Sequence, residues 1–270
     1  MTSKTEGLQE LVGSAVSRRA FAKRTIAGAA MAAGAIATTG AGDLFAQSLT
    51  DESILNFALN LEYLEAEFYT VATTGQRIAD AGIGITGRGT AGATTGGAKV
   101  ALDANVQTVA DHVTLDEQQH VKLLRTALGS SAVAKPAINL EALGLGFRNQ
   151  AEFLTLSRAF EDLGVSAYAG AAKLIKSPRI LEVAARIALT EGQHAGVFRY
   201  LVGLSGAVQP QVDNLDVPPL GSPAGRLFQV DGNGLSTVRT ASQVLTVAYA
   251  GARSGGGFFP NGLNGDIKTA

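Results

Sequence analysis

Apolar residues recur at three- and four-residue spacing over four long stretches of the chain, the period of a helix with one buried face. The first predicted helix spans 51–73. Thr50 is its cap, Asp51 and Glu52 fall in its first turn, and Leu55, Ala58, Glu62, Glu65, Tyr69 and Ala72 share one face. The second spans 99–128 and stops at Gly129. The third runs from about 149 to 176, with Leu154, Ser157, Glu161, Gly164, Tyr168, Ala171 and Ile175 facing inward. Ser177-Pro178 starts the fourth, 178–203, with proline at the first helical position. A short fifth helix is expected at 240–249. The fold class is therefore all-α: a four-helix bundle over 48–204, followed by a C-terminal extension over 205–270 that carries the short helix.

The segments between these elements differ in character. Residues 74–97 are rich in Gly and Thr and read as a loose surface loop. The 129–150 connection is long enough to return the length of the bundle, at about 3.3 Å per extended residue. Residues 205–239 are irregular and rich in Pro and Gly, and the 255–260 tail is expected to lay its two Phe along the bundle.

Carboxylates interrupt the apolar faces at matched places. Glu117-Gln118-Gln119-His120 in the second helix and Glu191-Gly192-Gln193-His194 in the fourth both read Glu-x-x-His. Three residues apart on a helix, each Glu and His point the same way. The match extends to Val113/Ile187 and Leu124/Phe198, so both pairs face a core. In the first and third helices Glu62 precedes Tyr69 by the same seven residues that separate Glu161 from Tyr168. The first half of the bundle thus repeats as the second half. At 1.5 Å per residue, Glu62 and Glu117 both fall roughly 16 Å from one end of their helices, and Glu161 and Glu191 are level in the same way.

Four carboxylates and two imidazoles converging in an apolar core would each cost several kcal/mol if left unpaired. Two divalent cations would satisfy them. A carboxylate and imidazole donor set suits iron or manganese, with zinc less favoured. The ligand set read here is Glu62, Glu117, His120, Glu161, Glu191 and His194, with Glu65 as an extra ligand or a group behind the ligands. Tyr69 and Tyr168 are placed to donate hydrogen bonds to ligand carboxylates, or close enough for redox chemistry. Gln119 and Gln193 read as helix formers, Glu67 and Glu152 as solvated. His112, about 12 Å along the axis from His120, is too far away to share a metal.

Composition narrows the rest. The net charge of -1 excludes a nucleic-acid footprint, and the absence of cysteine excludes disulfides and thiolate ligands. Residues 1–47 read as an export segment rather than fold. Ser17-Arg18-Arg19-Ala20-Phe21-Ala22-Lys23 is a twin-arginine pattern ahead of a short Ala/Gly-rich run. That run is too weak for a membrane span, so no transmembrane anchor is expected after processing, and the destination would be periplasmic or extracellular.

One Glu from each of two helices, with Glu-x-x-His from each of the other two, is similar to the di-iron or di-manganese bundle arrangement. The chain resembles ferritin-like four-helix proteins. The segments Leu55–Tyr69 and Gly164-Val165-Ser166-Ala167-Tyr168, and the closing Gly257-Phe258-Phe259-Pro260-Asn261-Gly262, resemble the exported ferritin-like family that includes desiccation-related proteins. The resemblance covers about 50–262 and implies the same six ligands. It implies redox chemistry on O2 or peroxide, or Fe(II) oxidation, in stress protection, and it allows a homo-oligomer. The alternatives are a non-enzymatic stress protein whose metals are structural, and a metal-free bundle with a polar core. The long Gly-rich loop departs from compact ferritins and argues against a storage shell.

Overall fold

The computed structural model describes residues 49–206, 209 and 211–270; the expected export segment lies outside them. The described residues form four long helices: α1 Asp51–Thr74, α2 Ala104–Leu128, α3 Gln150–Ala171 and α4 Pro178–Ser205. A short α5, Ala241–Ala248, follows. Each starts on a side-chain cap. Thr50, Asp103, Asn149, Ser177 and Thr240 all accept hydrogen bonds from first-turn amides.

Side-chain pairings show the directions. Tyr63 meets Arg125 and Thr73 meets Thr114, so α1 and α2 are antiparallel. Arg199 meets Asp162 while Glu191 lies against Gly164, so α3 and α4 are antiparallel too. The α1–α2 and α3–α4 pairs pack closely along their lengths, and the pairs meet each other more sparsely, through α1 with α3 and α2 with α4.

Two boundaries differ from expectation. α2 begins at 104 rather than 99, because Asp103 Oδ1 takes the amides of Asn105 and Val106, while Val100 donates its N–H to Ala72 O in an extended run. α3 ends at 171 and tightens into a 3-10 turn, Ala172–Leu174, so Ile175 lies beyond the helix. The chain must turn there to place Ser177 as the cap and Pro178 in the first turn of α4.

The 74–97 segment is not a loose loop. Its Thr94–Thr95 strand, β1, pairs in parallel with β2, Ile138–Asn139. A further bridge joins Arg88 to Val133. Glu67, expected to be solvated, is buried beneath this patch. It accepts from Ile78 N and Thr94 Oγ1 and faces Lys135 Nζ at 3.6 Å. The loops cover the outer face of α1, which is why that helix is buried nearly all round. Glu152 is not free in solvent either: its Oε2 accepts from the amides of Gly146 and Arg148.

The C-terminal residues lie on α3 and α4 and are held as much by charge as by apolar contact. Fully buried Arg158 donates to both oxygens of Asp216 at 2.9 and 2.7 Å. Arg199 donates to Asp162 and to the carbonyls of Val217 and Leu227. Phe258 packs edge-on against Phe160 at 5.0 Å. Gly170 of α3 leaves room for the Arg239 carbonyl, which a Cβ there would strike. Among the described residues, no helix is long and apolar enough to cross a membrane.

Candidate metal centre

Each long helix brings one carboxylate to the same level of the bundle. Glu62, Glu117, Glu161 and Glu191 come from α1 to α4 in turn, and none is more than 1% exposed. His120 and His194 stand on the same faces as Glu117 and Glu191, as their three-residue spacing dictates. His120 Nδ1 lies 3.2 Å from Glu62 Oε2, 3.2 Å from Glu117 Oε2 and 3.4 Å from Glu191 Oε1. His194 Nδ1 lies 3.0 Å from Glu117 Oε1 and 3.3 Å from Glu161 Oε2.

Two sets of donors result. One is Glu62, Glu117, His120 and Glu191; the other is Glu117, Glu161, Glu191 and His194. In each, one atom per residue falls within 4.8 Å of all the others. The sets share Glu117 and Glu191, one oxygen-rich bridge between two pockets. The four carboxylates and two histidines singled out in the sequence are therefore all brought together.

The donor set fits cations. Apart from the close contacts with the two imidazoles, Glu62 Oε2, Glu117 Oε1, Glu161 Oε2, both oxygens of Glu191 and His194 Nδ1 are buried with no other hydrogen-bond partner. Buried polar atoms are nearly always paired, and carboxylate oxygens most of all. Here six such atoms gather at one point, and all six can offer an electron pair. The cluster can hold metal ions.

Electrostatics without a cation agree. Burial, then the neighbouring Glu62, pushes the Glu117 carboxyl up to about 7. Burial and the charges of Glu117, Glu161 and Glu62 push Glu191 well above the usual carboxylate range. Burial alone would push the histidines down, but their glutamate neighbours win. Glu62, Glu117 and Glu191 hold His120 far above the ordinary imidazole range, and Glu161 and Glu117 bring His194 up to about 12. Burial opposes ionisation of Glu62 as well, yet the His120 charge leaves it below its ordinary value. The metal-free cluster thus retains protons to offset its crowded charge.

Two tyrosines cross the bundle to the outer oxygens. Tyr69 of α1 donates to Glu161 Oε1 of α3, and Tyr168 of α3 donates to Glu62 Oε1 of α1, both at 2.5 Å. Burial, then the Glu161 charge, raises the Tyr69 phenol well above its usual range, so it stays a donor. Tyr69 sits inside an aromatic cluster, stacked on Phe198 and edge-on to Phe68 and Phe153. Tyr168 is only half-buried.

Glu65 is buried at the edge of the cluster, opposite Gly164 of α3. A Cβ on Gly164 would overlap Glu191 Oε2 and come within 3.2 Å of Glu65 Oε1. Burial and the charges of Glu191 and Glu117 hold the Glu65 carboxyl well above its ordinary value. It is not in either donor set. Gln119 and Gln193 point outward and are exposed, as is His112.

One further residue had not been singled out from the sequence. Asp116 Oδ2 accepts from His194 Nε2 at 3.1 Å, which fixes the ring with Nδ1 toward the carboxylates. The repeat holds the clue: the position matching Asp116 in α4 is Thr190. His120 consequently has no carboxylate behind it, and no protein group among the described residues pairs with its Nε2. Its ring instead reaches an open groove of about 460 Å³ over the α2–α4 seam.

Comparison with known proteins agrees with the geometry. Residues 50–204 match the family model described as ferritin-like domain. No curated protein matches the chain.

Proposed function

The chain belongs to the ferritin-like domain family, and from that premise we propose that it is an exported di-metal carboxylate protein performing redox chemistry on O2 or peroxide, or oxidising Fe(II). One observation carries the reading: two sets of four donors share Glu117 and Glu191, and their buried inward oxygens meet no partner but the two imidazoles. Glu62 and His120 would complete one metal position, Glu161 and His194 the other. The donors are hard or borderline, which suits iron or manganese ahead of zinc. Iron or manganese, when bound, supplies electron transfer to or from a small oxidant.

The chain's own residues set the conditions. Tyr69 and Tyr168 hold Glu161 and Glu62 by their outer oxygens, leaving the inner ones for ligation. Asp116 orients His194. Phe68, Phe153 and Phe198 exclude water around Tyr69. The groove over the α2–α4 seam gives a small molecule a path to His120.

A second reading is a stress protein whose metals only hold the bundle together. The near-complete burial of all four carboxylates favours it. Oxygen and peroxide consumption by wild type and Glu161→Ala, each loaded with iron and then manganese, separates the two. Turnover that falls to background in the variant supports the redox reading; equal background rates in both leave the structural one. Export rests on Arg18-Arg19 and its surroundings. Replacing both arginines by lysine should trap the protein inside the cell.

A further inference from the structure

The groove over the α2–α4 seam is asymmetric in a way the repeat does not require. Its polar lining is His120, Arg186, Thr190 and Gln193, and no carboxylate lines it. The Arg186 guanidinium has no ion pair or hydrogen bond among the described residues, although the chain carries as many acidic as basic groups to within one. The Thr190 hydroxyl is spent on Arg186 O, and Gln193 gives one N–H to Leu189 O. Three donors are left over: the exposed guanidinium, the second N–H of Gln193, and Nε2 of an imidazole that is 7% exposed. Beside them Leu123, Val183 and Leu189 form an apolar wall, with Leu189 70% exposed and Leu123 43%.

We propose that this groove binds a small amphipathic monocarboxylate, its carboxylate held between Arg186 and His120 Nε2–H and its short chain lying on Leu123, Val183 and Leu189. One full positive charge and one neutral N–H match a single negative charge better than a doubly charged anion. The leucines match a chain that water would otherwise surround. The proposal rests on the metal-binding reading at one point: with Nδ1 serving as a ligand, the ring proton sits on Nε2. A bound carboxylate there would do for His120 what Asp116 does for His194. The second histidine of the pair would thereby be oriented by a ligand instead of a residue.

Hexanoate is the probe, titrated calorimetrically into the metal-replete full chain. The expected result is saturable binding at one site, with a Kd in the millimolar range or tighter, on the order a ligand of that size reaches. Arg186→Gln and Leu189→Gln, both at exposed positions, should each weaken binding about tenfold or more. Hexanol and inorganic phosphate should bind at least about tenfold more weakly than hexanoate. No saturation by about 50 mM, unchanged affinity in Arg186→Gln, or phosphate binding as tightly as hexanoate would each overturn the proposal. Elemental analysis of the same sample decides the metal reading separately. A sample that holds metal and ignores hexanoate defeats only the groove.

Discussion

The Tyr69 hydroxyl donates to Glu161 Oε1 across the bundle, from α1 to α3, at 2.5 Å. Tyr168 repeats the contact in reverse with Glu62. Removing the Tyr69 hydroxyl strands a buried carboxylate oxygen among phenyl rings. Tyr69→Phe should lower the stability of the metal-free protein by about 1–3 kcal/mol, read by urea unfolding. Tyr168→Phe should cost a similar amount, because Glu62, whose Oε1 it leaves without a donor, is only 1% exposed. No loss in either variant would mean that the two hydroxyls do not hold the carboxylates.

Gly164 separates packing from site chemistry. In a helix interior, alanine is ordinarily better than glycine by about 0.5–1 kcal/mol. Here the added methyl would overlap Glu191 Oε2, one of the shared donors. Gly164→Ala should keep its helical circular dichroism and lose metal binding at both positions, since both use Glu191. Full metal occupancy in the variant would show that Glu191 is not where the ions sit.

Much of this centre was legible in the sequence, and the reason is local. Glu117/His120 and Glu191/His194 are three apart on helices, and Glu62/Tyr69 repeats as Glu161/Tyr168. Helical periodicity therefore carried their direction. The same logic misplaced Glu67, and it gave no warning of Arg158 and Arg199, because their partners are remote in sequence. Arg158 finds Asp216, Arg199 finds Asp162 and the carbonyls beyond 216, and Glu67 finds Thr94 and Lys135. Loops and the C-terminal residues cover the outward faces of α1 and α3, and a covering segment leaves no period in the helix it covers. Asp116 was findable, as the residue beside Glu117 whose match in the other half, Thr190, carries no charge.

Metal uptake should release protons. In the metal-free cluster Glu117 titrates near 7, Glu191 above the carboxylate range, and His194 near 12. A dication must displace the protons these groups hold. Lowering the pH strengthens that competition, so affinity falls toward acid and rises as Glu117 deprotonates. Affinity for Mn(II) should increase at least about tenfold between about pH 5.5 and 7.5. Calorimetry in buffers of different ionisation enthalpy would count the protons. A pH-independent affinity with no release would contradict the charge assignment.

Glu67 and Lys135 test the loop anchor. Glu67→Ala leaves the Lys135 ammonium, 3% exposed, without its carboxylate. The loss should be about 3–5 kcal/mol, at the lower end because Lys135 also donates to Gly92 O and Thr94 Oγ1. Adding Lys135→Met should recover most of it. A double variant no more stable than Glu67→Ala would argue against the pairing.

The most direct measurement is anomalous diffraction at the iron and manganese edges, on crystals of protein purified from its own cells. Two peaks are expected, one among Glu62, Glu117, His120 and Glu191, the other among Glu117, Glu161, Glu191 and His194. A cluster with no anomalous density, its glutamates closed by protons alone, would contradict the account.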